Sequence, residues 1–230
     1  NLLNLSIIAE LKTQTEPSPI DFTAIGTQVE LWDQYQNSLV ERETQGGEWD
    51  QSSGDDVRAR AIELAQSGLR DGSRVFPISL RRERPDKRLI SRNVIINEVG
   101  ERYRFRHEEL QDYFYAWNAV NRLGWTTPQE VLGEIDERVA AGVFRWMMRI
   151  LLKQDGVSAK EFLDATLSDD DLGYYAATRI IDEIATWDPV DIEDDVVDVA
   201  LWLIDSNEQY REYFYTNLDS ATWVETLYDR

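Results

Sequence analysis

Two rhythms of apolar and polar residues run through this chain, and they change over at one point. From Arg102 to Arg106, Tyr103 and Phe105 alternate with arginines, the two-residue period of a half-buried strand. From His107 onward the period becomes helical, with Leu110, Tyr113, Phe114, Trp117 and Val120 at spacings of three and four. A strand running directly into an aromatic helix sets the direction of both, because each must bury its apolar side in the same core.

The helical period predominates elsewhere. Asn1 to Lys12 predicts a helix that is apolar nearly all round. After a loop marked by Pro17 and Pro19, a long helix is expected from about Asp21, its stripe running through Phe22, Ile25, Val29, Trp32, Gln36 and Leu39. Gln36 is the polar interruption in that stripe. A glycine-bearing loop, Gln45 to Gly54, precedes a helix from Asp56 to about Leu69, with Asp55 as its cap and Asp71-Gly72 as its stop. Val75, Phe76, Ile78 and Leu80 read as a short extended piece, and Asp86 as the cap of a helix from Lys87 to about Ile95. A turn around Gly100 then leads into the strand and helix described above. Helix, extended piece, helix, wing-like hairpin and helix is the order of a winged-helix unit.

Beyond Gly124 every periodic segment is helical. Thr127-Pro128-Gln129-Glu130 combines a capping box with proline at the first helical position. Val139, Val143, Phe144, Met147, Met148, Leu151 and Leu152 make a strong stripe, and Ser158 to Glu161 reads as a second capping box ahead of Phe162 and Leu163. Helices through Ile180–Ile184, Ile192–Ile204, Glu208–Leu218 and Ala221–Tyr228 complete a pattern resembling stacked helical repeats. The expected fold is therefore mainly α: a helical segment over 1–54, a winged-helix domain with a small β wing over 55–123, and a HEAT-like helical region over 124–230.

Composition narrows the function classes. With 230 residues, 42% of them apolar, eight Trp and ten Tyr, the chain has ample material for a core. No run approaches the roughly 20 apolar residues of a membrane span, so no membrane partner is expected. The absence of cysteine excludes disulfides and thiolate metal sites and fits an intracellular, cytoplasmic protein. Net charge is −20, and 20 of the 24 basic residues are Arg, the lysines being Lys12, Lys87, Lys153 and Lys160. Such a surface is that of a halophile-like protein in a salty cytoplasm, or simply of an acidic soluble one. It disfavours bulk binding of nucleic acid by the chain as a whole.

Three features bear on chemistry. His107, the single histidine, falls at a helix start, where free N–H groups and the dipole favour an anion. Arg81, Arg82, Arg84, Lys87, Arg88, Arg92, Arg102, Arg104 and Arg106 form a basic zone in an acidic chain. That zone fits a docking face for an acidic domain or for phosphates. It also fits a DNA face with Lys87 to Ile95 as recognition helix, or a solvated face laced with ion pairs. The acidic runs Asp169-Asp170-Asp171 and Glu193-Asp194-Asp195 open helices and lack calcium-loop spacing. No Ser/His/Asp arrangement, zinc set or Gly-rich phosphate loop occurs, so neither a catalytic nor a metal site is expected in this chain.

The segment Phe105-Arg-His107-Glu-Glu-Leu110-Gln-Asp-Tyr113-Phe114-Tyr-Ala116 resembles the Phe-x-His-x-x-Leu/Phe-Gln-Glu-Tyr-Phe-x-Ala segment that closes the winged helix of NACHT-type STAND NTPases. These signalling ATPases include animal NOD-like receptors and prokaryotic antiphage relatives. Leu89–Ile95 resembles that family's helix before the wing, Asn1–Leu11 the start of its helical domain, and Leu31 to Arg42 the long helix that follows. The resemblance covers about 1–123. It implies that a nucleotide-binding domain, with phosphate loop and Mg, precedes Asn1 in a longer protein. It further implies that ADP or ATP binds there and that His107 contacts a phosphate in the closed, ADP-bound state. The remaining implied partners are that preceding domain and further copies of the protein, which homo-oligomerises on activation.

Overall fold

The structure, a computed structural model, describes residues 2–13, 28–44, 51–79, 84–168, 173–185, 194–206, 208–218 and 221–228. It is mainly α, with twelve α-helices and one small antiparallel sheet among the described residues. The chain folds as two compact units. One comprises Asn1–Gly68 with Ser73–Phe114, the other Leu69–Gly72 with Tyr115–Arg230.

In the first unit, α1 (Leu2–Thr13) packs on α2 (Gln28–Thr44). Ile7 and Leu11 are buried on α1, and the indole N–H of Trp32 donates to Asn4 Oδ1 at 3.1 Å. The predicted stretch of this second helix from Asp21 to Thr27, with Phe22 and Ile25, lies outside the described residues. Gln36, expected as a polar break, is in fact buried beside Trp32 and Tyr35.

Helix α3 (Gln51–Arg70) begins earlier than its predicted cap at Asp55. One internal glycine costs about 1 kcal/mol against alanine. That is too little to stop a helix whose Val57, Ala61, Ile62, Leu64 and Ala65 are all buried. Strand β1 (Val75–Pro77) follows, then α4 (Arg84–Ser91), β2 (Ile95–Val99), β3 (Arg102–Phe105) and α5 (Glu108–Asn118). This is the predicted order of helix, strand, helix, hairpin and helix.

The sheet order is β1-β3-β2, with both pairings antiparallel. The predicted helix Lys87–Ile95 is corrected at both ends: it starts at Arg84 and stops at Ser91. Asn93 turns left-handed (φ 60°), a conformation asparagine tolerates, and the β-branched run Val94-Ile95-Ile96 then enters the sheet. Asp86 does not serve as the predicted cap. It sits inside the first turn, buried, and accepts from Arg60 Nε at 2.8 Å, which ties α4 to α3.

The second unit contains the end of α5, a π-helical turn (Ala119–Leu123) and α6 (Pro128–Leu132), followed by α7 (Glu137–Gln154) and α8 (Gly156–Leu167). Then come α9 (Gly173–Ala185), α10 (Asp194–Ser206), α11 (Glu208–Thr216) and α12 (Ala221–Tyr228). Gly124, left-handed at φ 69°, closes the π-helical turn. The predicted Thr127–Glu130 box is present: Glu130 Oε2 accepts from the N–H groups of Thr126 and Thr127, both at 3.0 Å. The second predicted box is displaced. Asp155, not Ser158, caps α8, and Ser158 donates its N–H to that carboxylate at 2.7 Å.

Each of α7, α8 and α9 packs on the helix two places further along, and α7 also packs on α8. This is the connectivity of stacked helical pairs. Every residue of the predicted stripe on α7 is buried, as are Trp146 and Ile150. Glu183 of α9 is held by Arg145 and Arg149 of α7, and Arg149 lies 4.7 Å over the Trp146 ring. The expected helix opening at Asp169–Asp171 and the expected helix end at Trp187–Pro189 lie outside the described residues. No helix among the described residues is long and apolar enough to cross a membrane.

Candidate functional site

The joint between β3 and α5 is fixed by packing on both sides. Tyr103 and Phe105 face inward from the strand. Phe105 meets Phe76 edge-on at 5.5 Å and Phe114 at 5.9 Å, and Tyr113 meets Trp32 at 5.2 Å. The Tyr113 hydroxyl donates to Asp33 at 2.6 Å. Burial and that carboxylate raise the phenol far above its ordinary range, so it remains a donor. These contacts orient α5, and with it the residue immediately before it.

That residue is His107. It is half-buried and lies just ahead of Glu108, not inside the first turn as predicted; its carbonyl accepts from Leu110 N–H at 3.1 Å. Burial depresses the imidazole pKa below its ordinary value of 6.5. The charges of Arg106 and Arg104 push the same way, and Glu109 opposes them. A neutral, half-exposed imidazole in a cationic neighbourhood can donate one hydrogen bond to an anion, whose charge would in turn favour protonation.

Sequence reading missed the groups that brace this joint. Arg74, left-handed at φ 57°, donates its N–H to Gly68 O at 2.9 Å. Its guanidinium grips the buried Asp112 of α5 at 2.7 and 3.2 Å and lies 3.6 Å from Glu108. Gln111, also buried, donates to the carbonyl of Ala65 on α3 at 3.3 Å. Asp112 and Gln111 stand beside the aromatic stripe in sequence, where periodicity marks them as outward. A partner 38 residues away leaves no local signal.

The basic zone divides. Arg81 and Arg82 lie outside the described residues. On α4, Arg84 and Lys87 are exposed and Arg88 is half-buried, at positions i, i+3 and i+4 of one face; Arg92 is half-buried in the turn beyond. Arg102, Arg104 and Arg106 form a second group, of which Arg104 and Arg106 act on His107 electrostatically. Arg84, Lys87 and Arg88 are thus one helix face, and Arg104 and Arg106 belong to the histidine joint.

No protein-family model matches this chain, and no curated protein matches it.

Proposed function

We propose that this chain is the regulatory portion of a NACHT-like STAND signalling NTPase of the cytoplasm, a winged helix followed by helical repeats. In that role it stabilises the ADP-bound, inactive state and transmits a trigger. One observation carries the reading: the only histidine stands at a strand-to-helix joint, half-exposed and flanked by Arg104 and Arg106, on the motif that resembles the family's. His107 would supply one donor to a phosphate oxygen of ADP, while the phosphate loop and Mg would belong to a domain preceding Asn1. When bound, the nucleotide supplies a polyanion whose occupancy holds the unit closed. The bidentate Arg74–Asp112 pair keeps α5, and hence His107, in position. Release on exchange to ATP would free the unit for homo-oligomerisation.

The test uses the full-length protein. His107→Ala should lower the fraction of protein that purifies with ADP, and unchanged ADP occupancy rejects the role. An upstream gene sequence encoding no phosphate loop would sink the whole reading.

A second reading, a winged-helix DNA-binding regulator with a helical dimerisation tail, has one observation in its favour. Arg84, Lys87 and Arg88 line one face of the helix before the hairpin. Salt-dependent duplex binding that is lost in Arg88→Ala and Arg92→Ala would support it over the first.

A further inference from the structure

The outer face of the three-stranded sheet departs from the usual pattern. An antiparallel sheet with one wet face alternates apolar residues inward with polar residues outward. Here the central strand β3 turns Tyr103 and Phe105 into the core and leaves Arg102 and Arg104 on the other side. In register with Arg102 stand Pro77 on β1 and Val99 on β2; in register with Arg104 stand Val75 and Ile96. Each arginine is therefore flanked on both sides by apolar residues, so four of these six outward positions are apolar. Pro77, Val99 and Arg102 are exposed, Val99 by 73%, and Val75, Ile96 and Arg104 are half-buried. Among the described residues neither arginine has a carboxylate within ion-pairing distance; the one hydrogen bond that either guanidinium makes among them is Arg104 Nη1 to the Phe105 carbonyl at 3.4 Å.

We infer that this face docks an acidic, amphipathic segment of a protein partner, with carboxylates opposite Arg102 and Arg104 and apolar side chains on the flanking strands. The two arginines are two residues apart on one strand, a spacing of roughly 7 Å. Carboxylates one helical turn apart, at about 5–6 Å, or two residues apart on a strand, span that distance. Charge complementarity points to an acidic partner, and the apolar flanks point to protein. A duplex backbone offers phosphates to the arginines but nothing to Val75, Pro77, Ile96 or Val99. The inference does not depend on His107 or on nucleotide.

The test is selection of a displayed random-peptide library on the 230-residue chain. The enriched peptides are then synthesised and their affinity measured by fluorescence anisotropy. Enrichment of acidic sequences with interspersed apolar residues is expected. Their affinity should fall at least about tenfold in Arg102→Glu and severalfold in Val99→Ser, and hold in Lys87→Glu on α4. Circular dichroism verifies that the variants fold; if Arg102→Glu does not, Val99→Ser decides, since that side chain is exposed. Failure to enrich acidic peptides, binding indifferent to both substitutions, or duplex DNA that displaces the peptides and is itself lost in Arg102→Glu each overturns the inference.

Discussion

Arg74 and Asp112 form a two-pronged ion pair, 2.7 and 3.2 Å between guanidinium and carboxylate, that ties the corner after α3 to the second turn of α5. Asp112 is 3% exposed, so removing Arg74 takes the paired cation from a carboxylate held away from water. Breaking such a pair costs about 3–5 kcal/mol when fully buried. Arg74 keeps some exposure, which places Arg74→Ala near the lower end. A double-mutant cycle with Asp112→Ala in urea unfolding should show strong coupling, and additive losses would show that the pair contributes nothing.

Gly68→Ala sets two effects against each other. Alanine gains about 1 kcal/mol of helix propensity. Its Cβ, however, would stand 2.4 Å from Gln111 Nε2 and 3.1 Å from the Arg74 backbone. Gln111 is buried and committed to Ala65, and the Arg74 backbone is pinned to Gly68 itself, so neither yields cheaply. Overpacking of this kind costs about 1–3 kcal/mol and should win. A lower thermal midpoint is expected, and a raised one would mean that the corner is loose.

Tyr113 separates packing from hydrogen bonding. Tyr113→Phe keeps the ring against Trp32 but leaves Asp33 without the 2.6 Å hydroxyl donor. A bond to a charged group is worth about 1.5–3 kcal/mol, and Asp33 is half-exposed, which favours the low end. Tyr113→Ala loses the ring as well, about 3–5 kcal/mol. Equal losses in the two variants, by denaturant unfolding, would put all the stabilisation in the hydroxyl.

His107 should titrate alone, since the chain holds a single histidine whose NMR signals need no assignment. Its midpoint is expected below 6.5, for burial and Arg106 both disfavour the cation. The unfolded chain then binds the proton more readily than the folded one. Stability attached to His107 is present above the unfolded pKa and is lost as pH falls through it toward the folded value. His107→Gln should remove that part of the pH dependence, and a midpoint at or above 6.5 would contradict the cationic surroundings.

In the second unit, Glu183→Ala should be costly, because it leaves Arg149 and Arg145 facing each other with their shared carboxylate gone. Glu183→Gln keeps the shape and a hydrogen-bond acceptor, and should be milder. Thermal unfolding of the two variants distinguishes the charge from the contact, and equal midpoints would put the whole loss in the charge.

Periodicity alone determined that the chain is mainly helical, that one short sheet interrupts it, and that a strand runs directly into an aromatic helix. Tyr103, Phe105, Leu110, Tyr113 and Phe114 are all buried because apolar area drives them there whatever the partner. The capping box at Thr127–Glu130 was legible for a related reason, its donors and acceptors lying within four residues. What only the tertiary structure decided depends on distant or competing groups. Asp86 reads as a cap until Arg60 pulls it inward, and Asp112 reads as solvent-facing until Arg74 meets it. Ile95 left the predicted helix because pairing opposite Phe105 buries it, whereas a helix ending at Ser91 frees Asn93 to turn. His107 was visible as the single histidine at the change of period. Arg104 and Arg106 were visible beside it; the burial that lowers its pKa came only from the folded joint.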